Sequence, residues 1–317
     1  MMLKIWGLRL LETLDLSGIS KCSISLEIVD APRLSHLVMP MSTRLPDWVG
    51  KVKSLRTLRG FILPMDSLEG IIGLGELTAL SDLKFYFPNR CTGLSKAAWM
   101  TALSTSLDKL GNLKQLRVDS FEHVALQADA LSSLSPPFRN LELLDLQYGC
   151  TFSRVPRWMG HLHNLRELFI GVKQVLQEDV AFIGTWMPSL ILSLRIPGVL
   201  TERIVIGGST GFPVLRWFLF DCDGVSFLTF EAGAMPALRE LELALDADQW
   251  DKAAPAGLQH LPSLETITTW RECYTSKQKA AGSALIMSVF QEAADTLPTR
   301  PKFNLCTKVR RRPTEED

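Results

Sequence analysis

The stretch PALRELEL, residues 236–243, carries three leucines in the pattern L-x-x-L-x-L, at Leu238, Leu241 and Leu243. The last two leucines alternate with polar residues, and this period of two indicates a short strand with one buried face. One short strand cannot bury its apolar face alone, so the stretch predicts neighbours of the same kind stacked against it.

The same pattern recurs along the chain. Seven further regular copies begin at a leucine that is followed by apolar residues three and five positions later: Leu11, Leu34, Leu80, Leu113, Leu141, Leu165 and Leu215. Because 46% of the residues are hydrophobic, a single match carries little weight. The regular return of the pattern is what indicates a repeat architecture.

Three copies are irregular. Leu55 and Leu58 are followed by Gly60 and only then by Phe61, and Leu264 and Ile267 are followed by Thr269. In the eighth copy, Leu190 precedes Leu194 and Ile196 with one residue too many, so its register stays open.

The spacing of the copies identifies the repeat. Their middle positions are 21 to 28 residues apart, with one interval of 33, and leucine-rich repeats have periods of 20–29 residues. In five copies a proline, which ends the preceding segment, lies two residues before the first leucine: Pro32, Pro188, Pro213, Pro236 and Pro262. We therefore predict an α/β leucine-rich-repeat solenoid, a curved parallel sheet of about eleven repeats.

Helices are predicted at two places. The long interval contains a stripe of Trp99, Leu103, Leu107 and Leu110, which predicts a packed helix capped by Ser95. Near the C-terminus, residues 276–296 predict a second helix, whose apolar side is formed by the following residues: Leu285, Val289, Phe290 and Ala293.

The predicted domain is 1–306. Its last part, residues 276–306, is predicted to form a C-terminal cap that consists of the second helix and a last strand over Lys302–Cys306. Residues 307–317, after the domain, are predicted to be a disordered charged tail. The N-terminus carries no comparable cap, because Leu8 and Leu11 begin a repeat almost at once. We therefore expect the chain to be a fragment, or a truncated member, of a longer architecture.

Composition excludes several partners. The 34 basic and 34 acidic residues balance, which favours neither nucleic acid nor an anionic membrane as partner. No apolar stretch is long enough to span a membrane, the N-terminus is a poor signal peptide, and no CxxC pair occurs. These features predict a cytoplasmic location. We interpret the basic run at 308–312 mainly as a frayed tail, although such a run is also compatible with nuclear import.

No catalytic or cofactor-binding motif is found. The sequence has neither GxSxG nor HExxH. His161 and His163 lack partners at metal-ligand spacing, and the glycine-rich run 207–211 leads directly into a repeat, so it predicts a loop. We expect no enzyme activity, no metal and no cofactor.

The residues between the buried leucines are the candidates for function. They face the concave side of the predicted sheet, where they place a basic stretch beside large apolar groups, and exposed apolar clusters rimmed by charge often mark protein contacts. The candidate protein-binding residues are Arg59, Lys84, Arg117, Asp145, Phe169, Arg195, Trp217, Leu219 and Glu242. The alternative is that these side chains only pack on one another.

Longer phrases resemble a known family. LETLDLSG at 11–18, LPDWVGKVKSLRTLRGF at 45–61 and VPRWMGHLHNLREL at 155–168 are similar to the repeat region of plant, especially cereal, coiled-coil nucleotide-binding leucine-rich-repeat disease-resistance proteins. The resemblance covers nearly all of residues 8–306. It implies an intracellular module of innate immunity that senses pathogen effectors or modified host proteins, with the nucleotide-binding domain of a related receptor as a further partner.

The sequence departs from whole receptors of that family. It contains no GxxxxGK[ST] phosphate loop, so ATP binding is not expected. The alternatives are the substrate-recognition arm of an F-box ubiquitin ligase or a general protein-interaction scaffold. An extracellular repeat receptor is disfavoured, because the sequence has no Asn-x-Ser/Thr site and no paired capping cysteines.

Overall fold

A computed structural model describes most of the chain. The described residues are 2–3, 8–19, 23–24, 31–64, 66–88, 96–120, 126–133, 138–186, 189–197, 200, 202–208, 211–246, 249–273 and 283–309. The chain divides into two compact units. Unit 1 comprises Met1–Phe152 and Pro156–Leu165, and unit 2 comprises Ser153–Val155 and Arg166–Asp317.

Unit 1 is built on parallel strands. In chain order its strands are β1 (Met2–Leu3), β2 (Thr13–Asp15), β3 (Ser23–Ile24), β4 (His36–Arg44), β5 (Thr57–Ile62), β6 (Asp82–Phe87), β7 (Gln115–Ser120), β8 (Leu126–Gln127), β9 (Leu143–Asp145) and β10 (Cys150–Thr151). Strands β2, β4, β5, β6, β7 and β9 pair in that order, whereas β1 pairs with β3 and β8 with β10.

The return segments of unit 1 are short. They contain the helices α1 (Glu69–Leu74) and α2 (Lys96–Asp108) and 3-10 turns at Asp47–Lys51, Asp129–Ser133 and Arg157–His161. Trp99, Leu103 and Leu107 of the predicted stripe are buried along α2, and Leu110 is buried just past its end. The indole Nε1 of Trp99 donates to the carbonyl of Pro64 at 2.7 Å. The predicted cap, Ser95, lies outside the described residues.

Unit 2 repeats the same plan. Its strands are β11 (Glu167–Gly171), β12 (Ile191–Arg195), β13 (Ile204–Ile206), β14 (Trp217–Asp221), β15 (Leu228–Phe230), β16 (Glu240–Asp246), β17 (Thr266–Cys273) and β18 (Lys302–Val309). Strands β11, β12, β14, β16, β17 and β18 pair in that order, and β13 pairs with β15. The helices are α3 (Gln177–Trp186) and α4 (Ser283–Thr296), with 3-10 turns at Val225–Phe227 and Leu258–His260.

The register of the strands follows the leucine pattern. In unit 1 the middle leucines, Leu37, Leu58, Leu83, Leu116 and Leu144, are partners across successive strands. In unit 1 the turns into β4, β5, β6, β7 and β9 are each fixed by one carbonyl of the preceding repeat that accepts two consecutive N–H groups, as Arg56 does from Ser81 and Asp82. These observations confirm the predicted parallel repeat sheet.

The eighth repeat corrects the predicted register. The carbonyl of Arg166 accepts from the N–H groups of Leu190 and Ile191, and Leu168 is the partner of Leu192. The three slots are therefore Ser189, Leu192 and Leu194, and not Leu190, Leu194 and Ile196. Serine stands where the other repeats have leucine, and it is buried.

The glycine in the third slot of the third repeat, Gly60, forms a bulge. Arg59 is the partner of Lys84 and Phe61 the partner of Phe85, so Gly60 is one extra residue in β5. Its φ of 85° lies in the left-handed region that glycine adopts without strain. The bulge returns Phe61 to the buried face, where it stacks on Phe85 at 6.0 Å between ring centroids.

The C-terminal elements differ in detail from prediction. In α4, Ile286, Phe290 and Ala294 are buried, whereas Leu285, expected on the apolar side, is 44% exposed. The last strand runs to Val309, three residues beyond the predicted end, because it pairs with β17 along its whole length. Residues 274–282 and 310–317, on which the rest of the predicted helix and tail fall, lie outside the described residues.

Candidate protein-binding face

Each sheet has a face on which the residues between the buried leucines stand. We call this side the open face and treat it separately in the two units. In unit 1 it carries four predicted residues on consecutive strands, because Arg59 is the partner of Lys84, Lys84 of Arg117 and Arg117 of Asp145. Neighbouring strands lie about 4.8 Å apart, so these four side chains stand in one row across the sheet.

The row in unit 1 is less basic than its sequence indicates. Arg59 forms a two-pronged ion pair with Asp82 of the next strand, in which Nε donates to Oδ1 at 2.9 Å and Nη2 contacts Oδ2. The ammonium group of Lys84 lies 5.4 Å from the ring centroid of Tyr86, and Nη1 of Arg117 donates to Gln115 at 3.0 Å. The open face of unit 1 is therefore a mixed-charge surface.

Asp145 is the unusual carboxylate of unit 1. Burial raises its pKa from 3.8 to about 6, and the charge of Asp119 adds to this rise. The backbone N–H of Gln147 and the charges of Arg117 and Lys84 act in the opposite direction. Desolvation outweighs these favourable groups because it penalises the charged form of the carboxyl directly.

Unit 2 has an aromatic cluster on its open face. Phe169, Ser193, Leu219 and Glu242 follow one another in register across four strands. Ser193 is fully buried, so the small side chain is covered while the larger Phe169 and Leu219 on either side stay partly exposed. The rings of Phe169 and Trp217 lie 6.0 Å apart between centroids and are tilted by 49°, a favourable aromatic geometry.

Glu242 holds two tryptophans. Nε1 of Trp217 donates to Oε1 of Glu242 at 3.0 Å, and Nε1 of Trp270 donates to Oε2 at 2.5 Å. Each carboxylate oxygen therefore accepts one indole N–H, which sets the orientation of both rings. Trp270 is absent from the predicted set. It stands three residues after Ile267, and Asp221 likewise stands three residues after Phe218. Asp221 and Trp270 are both register partners of Ala244, so their side chains face the same side of the sheet.

Arg195 does not lie where it was predicted. The corrected register makes it the partner of Gly171 and Asp221, two positions further along the strand than the column of Phe169 and Glu242. Its Nε is 3.2 Å from Oδ2 of Asp221, and the two side chains are only 12% and 13% exposed. Arg195 is therefore already engaged by a carboxylate on the open face.

Two cysteines lie in the described core. Burial raises the pKa of the Cys150 thiol, and burial raises that of Cys222 to about 12, so both side chains stay protonated in the core. Across the described part of the chain, no three His, Cys, Asp or Glu side chains are grouped so that they could hold a metal ion. None of the described helices has the length and apolar character needed to cross a bilayer.

Comparison with known proteins places the chain in a family. The family model described as "Leucine-rich repeat region" matches residues 3–303. The chain belongs to this leucine-rich-repeat family. A leucine-rich-repeat protein of Leptospira interrogans, covered over 93% of its length by 92% of this chain, shares 16% sequence identity with a TM-score of 0.30.

A curated relative is more informative. The leucine-rich-repeat region is 35% identical over 273 residues, 84% of this chain, to disease resistance protein RGA5 of rice, Oryza sativa subsp. japonica. It spans about a quarter of that protein, 24% of its length. The predicted resemblance to the repeat region of plant disease-resistance proteins is thereby confirmed, and the fold is one that generally serves as a protein-interaction scaffold.

Proposed function

We propose that this chain is a protein-recognition module of plant innate immunity, which senses pathogen effectors or modified host proteins through the open face of its repeats. The observation that carries the proposal is the 35% identity to a rice disease resistance protein. The aromatic cluster of Phe169 and Trp217, with Leu219 beside it, supports it, because partly exposed aromatic residues are favoured in protein interfaces. The module acts in the cytoplasm, as the cysteine pattern of the sequence predicts.

The site we assign comprises the predicted residues of both units, each set considered by itself. Unit 1 offers mixed charge, through Lys84, Arg117 and Asp145, and unit 2 offers aromatic area beside carboxylates. Charged groups at an interface set partner choice and association rate, whereas buried aromatic anchors supply most of the affinity. The aromatic cluster is therefore the part of the site to test first.

The test is co-precipitation of the purified chain with a panel of secreted pathogen effectors. We expect the double variant Phe169→Ala/Trp217→Ala to lose at least about 90% of the recovered effector, because two central aromatic side chains are removed. The matched control is Val214→Ala/Leu285→Ala, which removes two apolar side chains that are 43% and 44% exposed outside the sheet strands. Full recovery by a folded double variant, or failure of every effector and host protein tested to bind, would overturn the proposal.

A further inference from the structure

The surroundings of the aromatic cluster in unit 2 are acidic. Glu240 is the register partner of Trp217 on one side, and Glu167 lies two strands away in the same column on the other side. With Glu242, three carboxylates stand on the same face as Trp217, two on the next strand and one two strands away on the other side. Within the residues that the structure describes, none of the three glutamates forms an ion pair.

Few cations balance these carboxylates. Arg195 is engaged by Asp221 at 3.2 Å, and Lys302 lies two strands beyond Glu240 in the same column. The described open face thus has three carboxylates outside ion pairs, with Lys302 at its edge, while the exposed Arg166 and Arg216 stand outside the strands, directly before Glu167 and Trp217. A polyanionic partner such as nucleic acid would be repelled by it, and a cationic group would be attracted.

The hydrogen bonds of Glu242 add to the attraction. An indole whose N–H donates to a carboxylate is polarised toward greater electron density on its ring, which strengthens binding of a cation over the ring face. Trp217 and Trp270 are both in this state. Aromatic faces beside carboxylates are the chemistry that recognises an ammonium or guanidinium group.

We infer that the open face of unit 2 binds a basic segment of a partner protein, with lysine or arginine side chains seated on Trp217 and paired with Glu167, Glu240 and Glu242. This inference rests on the proposed function and specifies the chemistry of the partner. The occupant is a protein segment because the alkyl stem of lysine or arginine can cover Phe169 and Leu219 while its charged end reaches the carboxylates.

The experiment selects random twelve-residue peptides displayed on phage against the full chain. The peptides recovered are expected to be enriched in lysine and arginine. A synthetic peptide from that set is expected to bind the Glu167→Gln/Glu240→Gln variant at least about tenfold more weakly, and binding should weaken as salt rises from about 50 to 500 mM. Glutamine keeps the size of both side chains, and among the described residues neither carboxylate forms a hydrogen bond or ion pair that would be lost.

A matched control separates specific from general charge effects. Glu202→Gln/Glu231→Gln removes two exposed carboxylates of unit 2 that lie outside the sheet strands, and it should leave peptide binding within about twofold of the original. Acidic or apolar peptides, no enriched peptide, or equal weakening by both glutamine pairs would each overturn the inference. If acidic or apolar peptides are recovered and fail to bind the Phe169→Ala/Trp217→Ala variant, the proposed function survives and only the basic chemistry fails. The same holds if effector recovery still depends on Phe169 and Trp217.

Discussion

Arg154 and Asp179 form an ion pair across one repeat of unit 2, in which Nε of the arginine donates to Oδ2 of the aspartate at 2.7 Å. The Asp179 side chain is fully buried, whereas Glu178, which the same guanidinium contacts at 2.6 Å, is 66% exposed. The hydrogen bond from Arg154 to Asp179 is the main cause of the raised pKa of Arg154. The same Asp179 oxygen also accepts the N–H of Leu176, before the first turn of α3.

Removal of Arg154 should destabilise the fold far more than removal of Glu178. We expect Arg154→Ala to lower the free energy of unfolding by about 3 kcal/mol, because a buried carboxylate loses its cation. Glu178→Gln should cost under about 1 kcal/mol, as exposed ion pairs do. Urea unfolding followed by circular dichroism measures both values, and similar losses in the two variants would contradict the assignment of Asp179 as the dominant partner.

Asp145 should make stability depend on pH. Its pKa is about 6 in the folded chain against an ordinary 3.8, so the folded state holds the proton more tightly. The stabilising effect of protonation is complete below pH 3.8 and is lost as the pH rises through 6. Asp145→Asn should therefore be more stable than the original chain by about 1–3 kcal/mol at pH 7.5, with the gain shrinking toward pH 4.

Thermal unfolding of both chains from pH 4 to 8 measures this difference. Asp15→Asn is the matched control, because Asp15 stands on the same face with an exposed side chain and a pKa lowered by its hydrogen bonds to Ser17. A gain for Asp145→Asn that stays constant over the whole pH range would show that the carboxyl titrates normally.

The bulge in β5 should not tolerate a side chain. A Cβ on Gly60 would collide with the carbonyl oxygen of Met39, and the φ of 85° is unfavourable for alanine. We expect Gly60→Ala to destabilise the chain by at least about 2 kcal/mol. At Gly18 a Cβ would meet nothing within 4 Å, so Gly18→Ala is the control, and equal unfolding midpoints for the two variants would refute the bulge geometry.

The two faces of the sheet should respond differently to truncation. Leu241 is fully buried on β16, and Leu241→Ala should cost about 2–5 kcal/mol through loss of burial and formation of a cavity. Leu219, on the open face of β14, is partly exposed, so Leu219→Ala should cost about 1 kcal/mol. Chemical unfolding of both variants tests the order, and a larger loss at Leu219 would mean that the open face is misassigned.

The buried face was predictable because its signal is local. Leu58, Leu83 and Leu116 alternate with polar residues in their own strands, and this alternation alone assigns them to the core. The register of the eighth repeat was predicted wrongly because Ser189 replaces the first leucine, while Leu190, Leu192 and Leu194 are all apolar. Its register is decided by the Arg166 carbonyl of the preceding repeat, which no pattern within the repeat specifies.

The sequence predicted which residues stand on the open face, but not the ion pairs and hydrogen bonds that they form. Arg59, Lys84 and Arg117 occupy the expected row, yet the ion pair of Arg59 with Asp82 runs diagonally between strands, and sequence spacing does not reveal the rotamer that forms it. Glu242 was predicted only as one of the residues of this face. Its two indole partners lie 25 and 28 residues away along the chain, and only the stacking of repeats brings them together.

The double hydrogen bond of Glu242 has a thermodynamic consequence for association. Immobilising a flexible side chain on binding typically costs about 0.5–1.5 kcal/mol, but Trp217 and Trp270 are held in place before any partner arrives. A partner that docks on them therefore meets a preorganised receptor and loses less conformational entropy. Complexes formed there should therefore gain affinity with little structural adjustment of the two rings.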